Sequence, residues 1–210
     1  LDSHLPFQIF HPAWWIDGNG KNPLPFTIVT CDDVASGKWR PLFEPEWSVS
    51  YTRRLQEQAK KELTIWPYHC LIGSPGHSLD PELFSAVMWH SVARNSQQAF
   101  WTKGSVPETE FYSVVQPEIP VPEHPQGGRN QDFLDLLKKS DRLFIAGEAQ
   151  SHCVLETVED LVEEFSDQPE LLRRIYVLQD CTSPIRHPLV DYPAITKERS
   201  ADFARKGVHL

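Results

Sequence analysis

Short apolar runs alternate with amphipathic segments along the chain, and this alternation restricts the folds that it can adopt. The strand-like runs are 26–30 (FTIVT), 63–66 (LTIW), 98–103 (QAFWTK), 142–146 (RLFIA) and 174–180 (RIYVLQD). The helix-like segments are 51–62, 80–96, 131–140 and 154–165. Strands that alternate with helices favour a parallel sheet flanked by helices, so the pattern predicts an α/β fold.

The composition predicts one soluble domain over residues 1–210. With 210 residues, 40% of them hydrophobic, the chain can bury one sizeable core. A net charge of −9 argues against nucleic acid and anionic membranes as partners, and no apolar run approaches the ~20 residues of a spanning helix. The four cysteines lie far apart in a chain too large to need disulfides, which predicts a reducing, cytoplasmic location.

One loop, 116–130, differs from the rest of the chain in its composition. It holds four prolines and the pair Gly127–Gly128. Such a segment continues neither a helix nor a central strand, so we expect either a surface crossing or a lid.

Cys153 lies between a strand-like run and a helix-like segment. The apolar run 142–146 predicts a buried strand, and the spacing of the apolar residues in 154–165 predicts an amphipathic helix. Ser151 is a candidate N-cap, which would place Cys153 in the first turn of that helix. Unpaired backbone N–H groups and the helix dipole there would stabilise a thiolate. From this pattern alone, a nucleophile and a small buried hydrophobe are equally open.

Polar residues at predicted strand ends form a second set of candidates, because ligands of parallel sheets bind beyond the carboxyl ends of the strands. Lys103 ends one strand-like run and could stabilise a thiolate or a developing anion. Asp2 and His4 alternate by two, so an extended chain projects them from one face, and His69 follows another strand-like run. A carboxylate and two imidazoles suit Zn²⁺ or a similar ion. A surface lysine, a loop and a structural histidine remain open alternatives, and His11 is a weaker candidate.

Four sequence blocks together resemble one family. In order, they are LDSHLPFQIFHP, IWPYHCLIGSPGHSLDPEL, FWTKGSVPETEFYSVV and IAGEAQSHCVLETVEDL. They resemble successive blocks of the isochorismatase-like cysteine hydrolases, particularly the nicotinamidase branch. The most specific elements are W-P-x-H-C with G-x-x-G, from Trp66 to Gly76, and G-x-A-x-x-x-C-V, from Gly147 to Val154. The resemblance spans nearly the whole chain and implies a three-layer α/β/α sandwich with a mainly parallel sheet.

The resemblance also implies site residues. Cys153 matches the nucleophile, and Lys103 matches the catalytic lysine. Asp2, His4 and His69 match a divalent metal site, for which zinc is the expected ion. Glu148–Ala149 matches a non-proline cis peptide, where the N–H groups of Ala149 and Cys153 would receive an oxyanion.

One catalytic element of the family has no counterpart in residues 1–210. The resemblance places a catalytic aspartate at the end of the family's first strand, and Leu1 aligns with the second strand. We therefore expect that aspartate upstream of Leu1, and we expect the chain to be cut at both ends. The segment 10–47 also departs from small nicotinamidases, which leaves the substrate's identity open.

The predicted function is a metal-assisted cysteine amidohydrolase that acts on a small, nicotinamide-like amide and forms a homo-oligomer. The alternative is a non-catalytic family member that binds a ligand or forms oligomers without the aspartate. Vinyl ether hydrolysis of the isochorismatase type is disfavoured, because that branch does not need the nucleophile that Cys153 matches.

Overall fold

Helices and short strands occur in both halves of the computed structural model, which describes residues 1–187 and 189–210. The described chain divides into two units, Leu1–Glu108 and Thr109–Leu210. In the part of the chain that the structure describes, no helix is both long and apolar enough to cross a membrane. No disulfide joins the four cysteines of these described residues.

The first unit contains three helices and four two-residue strands. Its helices are α1 (Cys31–Ala35), α2 (Pro45–Glu57) and α3 (Pro81–Arg94), and its strands are β1 (Trp15–Ile16), β2 (Ile28–Val29), β3 (Arg40–Pro41) and β4 (Leu63–Thr64). Strand β1 pairs with β3, and β2 pairs with β4, both antiparallel. The core of this unit consists of buried aromatic and aliphatic side chains, namely Trp14, Trp15, Tyr51, Leu55, Leu63 and Ile65.

Two predictions for this unit are wrong in detail. The runs 26–30 and 63–66 do contain strands, but β2 and β4 pair antiparallel with Ile28 opposite Thr64. The run 98–103 forms no regular strand, and only Lys103 makes an isolated parallel bridge to Asp2. Strand direction depends on long-range pairing, which a local apolar run does not encode.

The sequence signals for helices predicted the structure of this unit better than the signals for strands. The predicted start of α3 is confirmed: Pro81 is its first residue, and Asp80 Oδ1 accepts hydrogen bonds from the N–H groups of Glu82 (2.9 Å) and Leu83 (3.2 Å). None of the residues of α3 is buried, and Trp89 is 71% exposed. Helix α2 begins at Pro45, six residues before the predicted segment 51–62.

In its described residues, the second unit contains four α-helices and a parallel strand pair. The helices are α4 (Gln131–Lys138), α5 (Leu155–Glu164), α6 (Pro169–Leu172) and α7 (Tyr192–Lys206), and the strands are β5 (Leu143–Ile145) and β6 (Ile175–Val177). The parallel pairing of β5 with β6 agrees with the predicted sheet. His209 extends the pairing, because its N–H donates to Ile175 O (2.9 Å) and its carbonyl accepts from Val177 N–H (2.8 Å).

The amphipathic face of α5 forms the centre of the second core. Val158, Leu161 and Val162 are buried against apolar residues of α4, β6 and α7. Burying a side chain of this size contributes roughly 1.5–3 kcal/mol, so the predicted apolar stripe is the main support of this helix. One part of the prediction is wrong: Phe144 is 57% exposed, so the run 142–146 is not a fully buried strand.

The proline-rich loop 116–130 closes on itself. The N–H of Val121 donates to Gly127 O (2.8 Å), and the N–H of Gly127 donates to His124 O (2.9 Å). Ile119 and Val121 are buried, so this segment belongs in part to the core of its unit.

We expect Gly127→Ala to lower the midpoint of urea unfolding, while Gly128→Ala changes it little. A Cβ at Gly127 would overlap the carbonyl oxygen of Val121 and lie 2.9 Å from its carbonyl carbon, whereas a Cβ at Gly128 would meet nothing within 4 Å. Overpacking against backbone costs about 1–3 kcal/mol. Equal midpoints for the two variants would contradict the described loop.

Candidate active site

The first four residues run parallel to two other segments of the first unit, and this pairing positions the candidate metal ligands. The N–H of Ser3 donates to Lys103 O (2.8 Å), and the N–H of Lys103 donates to Leu1 O (3.0 Å). On the other side, the N–H of His4 donates to Cys70 O (3.0 Å). Asp2 and His4 therefore lie between the segment that carries His69 and the segment that ends in Lys103.

Asp2 and Lys103 form a buried ion pair. Lys103 Nζ donates a short hydrogen bond to Asp2 Oδ1, and the two side chains are 9% and 19% exposed. Burial by itself would raise the pKa of the Asp2 carboxyl, but the charge and hydrogen bond of Lys103 outweigh it and lower that pKa overall. Asp2 is therefore ionised at neutral pH, and its partner is the residue that the sequence matched to the catalytic lysine.

His4 is buried and neutral. Its Nδ1 lies 3.1 Å from the carbonyl oxygen of His69, and its Nε2 lies 3.9 Å from Asp2 Oδ1. Burial lowers the pKa of His4 to about 4, although the charge of Asp2 opposes this shift. A carbonyl can only accept, so Nδ1 carries the proton and Nε2 keeps its lone pair.

The ring of His69 also directs its Nδ1 at a backbone carbonyl, as His4 does, but at a more exposed position. Its Nδ1 lies 2.7 Å from the carbonyl oxygen of Pro67, which leaves Nε2 as the acceptor nitrogen. The rings of His4 and His69 are nearly perpendicular, with centroids 4.6 Å apart. A histidine that ligates a metal usually donates its other ring N–H to a carbonyl or carboxylate, and both histidines do so here.

Gly104 lies directly against the His4 ring, where a larger residue would not fit. Its backbone has φ +84°, and a Cβ there would lie 2.8 Å from Cδ2 and 3.0 Å from Nε2 of the His4 ring. The carbonyl of Gly104 also accepts a hydrogen bond of 2.6 Å from Gln8 Nε2. Only glycine combines this backbone conformation with such a close approach to His4.

The cluster suits a divalent metal by the chemistry of its donors. One ionised carboxylate and two imidazoles, each of which donates through Nδ1 and leaves Nε2 available, match the preferences of zinc. In the arrangement that the structure describes, no three His, Cys, Asp or Glu side chains are placed to hold an ion. Asp2 Oδ1 is engaged by Lys103, so metal binding by Asp2, His4 and His69 stays a prediction.

Cys153 belongs to the second unit and lies in a π-helical turn, Gln150–Val154, that leads directly into α5. The predicted N-cap at Ser151 is wrong. The helical segment begins two residues earlier, with Ala149 as its N-cap, and Ser151 Oγ instead accepts the N–H of Ile185 (2.9 Å). Cys153 is half-buried and remains within the first helical turns after β5, as the sequence indicates.

The link between β5 and the π-helical turn has an unusual backbone. Gly147 has φ 120°, and the peptide bond between Glu148 and Ala149 is cis, as the resemblance implies. The Glu148 carboxylate accepts hydrogen bonds from the backbone N–H (3.3 Å) and the hydroxyl (3.0 Å) of Ser183. The role of Ala149 as an oxyanion donor stays a prediction.

His11 is a residue of the first unit whose surroundings the sequence did not reveal. Its ring centroid lies 6.1 Å from that of His4 and 4.7 Å from that of Tyr68. No spacing pattern links it to the other histidines, so only the three-dimensional structure identifies it.

Comparison of whole structures identifies the fold. No protein-family model and no curated protein matches the sequence. The chain matches the yeast nicotinamidase Pnc1p with a TM-score of 0.56 at 18% identity, over 99% of this chain and 75% of the yeast chain. The same enzyme bound to the inhibitor nicotinaldehyde gives 0.58 at 17%, over the same shares. An Acinetobacter baumanii nicotinamidase pyrazinamidase gives 0.53 at 15%, over 99% and 72%.

These similarities define a class of fold. The chain has the α/β fold of these solved structures, which confirms the α/β fold predicted from the sequence. The particular proteins that it matches within that fold are nicotinamidases.

We expect Gly104→Ala to lower the urea midpoint more than Gly73→Ala does. Both glycines have φ +84°, so alanine carries the same left-handed strain of about 1–2 kcal/mol at each position. Only at Gly104 does the new methyl group meet the His4 ring; at Gly73 it meets nothing within 4 Å. The overlap should add about 1–3 kcal/mol. Identical losses in the two variants would show that the close approach of Gly104 to His4 is wrong.

We expect iodoacetamide to alkylate Cys153 before the other three cysteines at neutral pH, as measured by peptide mass spectrometry. Cys181 is the useful comparison, because it is exposed but Asp180 raises the pKa of its thiol. Uniform labelling, or labelling in order of exposure with Cys181 first, would count against Cys153 as the nucleophile.

Proposed function

We propose that the chain is a cysteine amidohydrolase that cleaves the C–N bond of a small amide, with nicotinamide as the substrate to test. The observation that carries the proposal is the match of 99% of the chain to nicotinamidase structures. Cys153 supports it, because this cysteine lies at the start of the helical segment after β5, where backbone N–H groups favour a thiolate.

In the proposed reaction, the Cys153 sulfur attacks the amide carbonyl carbon and forms a tetrahedral oxyanion. The N–H groups of Cys153 and Ala149 receive that charge. When the intermediate collapses, the C–N bond breaks and the nitrogen leaves as ammonia with the proton that the thiol gave up. Water then hydrolyses the thioester, which releases the carboxylic acid and restores the thiol.

Two sets of residues in the first unit are assigned supporting roles. The resemblance matches Lys103 to the catalytic lysine, and Lys103 pairs with the ionised Asp2. Asp2, His4 and His69 would hold a divalent ion, zinc first, and a bound ion would polarise or orient a substrate ring nitrogen or a water. The reaction also requires proton transfer to the leaving nitrogen, and general acid–base catalysis of such a step typically contributes roughly 10²–10⁴-fold.

One observation bears on oligomer formation, which the proposed enzyme and the non-catalytic alternative share. Helix α3 exposes Leu83, Phe84, Met88 and Val92 as well as Trp89, and apolar surface of this extent favours self-association. Homo-oligomer formation is thus a separate proposal, which light scattering of the purified chain measures independently of catalysis.

We expect the purified chain to release ammonia from nicotinamide, and we expect Cys153→Ser to reduce that rate at least ~10²-fold because the hydroxyl is a poorer nucleophile at neutral pH. Cys181→Ser is the matched control, since Cys181 is exposed and has no role in the proposed reaction. Ammonia release that survives in Cys153→Ser would refute the mechanism. A complete lack of hydrolysis by the unaltered chain would favour the non-catalytic alternative.

A further inference from the structure

His152 directly precedes the candidate nucleophile, and its side chain is buried. The residue is 2% exposed, and its ring centroid lies 5.2 Å from that of Tyr112 and 4.6 Å from that of Tyr192, which are also buried. Both contacts are edge-to-face, a favoured geometry for aromatic rings. Two aromatic neighbours therefore hold the ring in the interior, whereas the adjacent Cys153 is only half-buried.

A hydrogen bond links the His152 ring to the preceding residue. Its Nδ1 lies 2.9 Å from the hydroxyl oxygen of Ser151, a residue that is itself buried. The same oxygen accepts the N–H of Ile185 (2.9 Å). A serine hydroxyl has two lone pairs and one proton, so it makes both contacts at once. Ser151 thus connects the His152 ring to the backbone of segment 181–185.

Segment 181–185 also holds the backbone that leads into the π-helical turn. The N–H of Gly147 donates to Cys181 O (3.0 Å), and the N–H of Gln150 donates to Ser183 O (2.8 Å). The hydrogen bond of Ser151 and the contacts of the His152 ring continue this attachment into the turn itself. The attachment therefore ends one residue before Cys153.

The anchorage of His152 sets the direction of the Cys153 side chain. Successive side chains of a helix point roughly 100° apart, so a turn that directs residue 152 inward directs residue 153 to a different side. Turns of the π-helical kind are rare and occur frequently at functional sites. A rotation of this turn would move the thiol away from the N–H groups that favour its charged form.

Burying an imidazole costs free energy that an apolar ring avoids. Phenylalanine at position 152 would fill a similar volume and could keep edge-to-face contacts with both tyrosines. What histidine adds is a ring nitrogen within hydrogen-bond distance of the Ser151 hydroxyl. This hydrogen bond is therefore the feature that distinguishes histidine from an apolar ring at this position.

We propose that His152 is a positioning residue for Cys153. Through its hydrogen bond to Ser151, the ring holds the π-helical turn in the orientation that directs the Cys153 thiolate at the backbone N–H groups. His152 contacts neither the substrate nor the reacting atoms in this role. The inference rests on the proposed function, whose nucleophile it concerns, and it gives a role to a buried histidine that the proposed reaction does not use.

The test is the rate at which iodoacetamide alkylates Cys153 from acidic to alkaline pH, measured on the whole chain by peptide mass spectrometry. His152→Phe keeps an aromatic ring but removes the hydrogen bond. We expect it to move the midpoint of the pH profile upward by about one unit and to slow alkylation at neutral pH roughly tenfold. His152→Asn should restore most of the rate, because its amide can reach Ser151 as Nδ1 does. His209→Phe is the matched control, since His209 is an exposed histidine of the same unit, and it should leave the profile unchanged.

Ser151→Ala tests the same hydrogen bond from its other partner. If His152 acts through Ser151, then His152→Phe should have little further effect in a chain that already carries Ser151→Ala. Three outcomes overturn the inference: an unchanged Cys153 profile in His152→Phe, equal losses in His152→Phe and His152→Asn, or losses that add in the double variant. If His152→Phe does not fold, Ser151→Ala decides alone, and an unchanged profile there overturns the inference.

Two further measurements separate this role from general damage and from the proposed activity. Cys31 lies on α1 in the first unit, and its alkylation in the same samples should not change. Ammonia release from nicotinamide is measured separately. A chain that releases no ammonia but shows the profile that depends on His152 refutes only the proposed activity. Ammonia release with a Cys153 profile that does not depend on His152 refutes only the positioning role.

Discussion

Parallel backbone pairing of residues 1–4 is the interaction on which the candidate centre depends. One bridge joins Asp2 to Lys103, and another joins His4 to Leu71. Because alternate residues of an extended segment project to the same side, this pairing directs Asp2 and His4 together. Ser3 lies between them in the sequence, and its side chain is also buried. Its hydroxyl oxygen lies 2.9 Å from His77 Nε2. A shift of one residue in this register would exchange the two sides and remove both candidate ligands from the cluster.

The polar groups around this pairing cost more free energy to bury than apolar side chains would. Removing one partner of a buried ion pair such as Asp2–Lys103 typically costs about 3–5 kcal/mol, yet replacing both by apolar residues is often neutral or stabilising. His4 and His11 add further desolvated groups to the same unit, since burial lowers the pKa of each to about 4. Clusters of this kind concentrate at functional sites, because an apolar core would serve stability better.

The elements that the sequence predicted well are those with local signals. Asp80 and Pro81 mark the start of α3 because a cap and a fixed φ act within one turn. The apolar stripe of α5 was visible because its period of 3.6 residues is a property of the segment itself. The antiparallel pairing of β2 with β4 and the loss of a strand at 98–102 were not predictable in this way. Both depend on which distant segment supplies the hydrogen bonds.

The residues of the candidate site differ in the same way, because some have a local sequence signal and others depend on distant segments. The Asp-x-His spacing placed Asp2 and His4 on one face from local geometry. Predicted strand ends pointed to His69 and Lys103, and the family resemblance joined these residues into one site. The surroundings of His11 could be found by neither route, because its ring is buried beside His4 and Tyr68 only in the folded chain. The side-chain amide of Gln8, which binds the carbonyl of Gly104, helps to set that environment. A sequence pattern records which polar groups are present, whereas the burial and the neighbours of a histidine depend on contacts between distant segments.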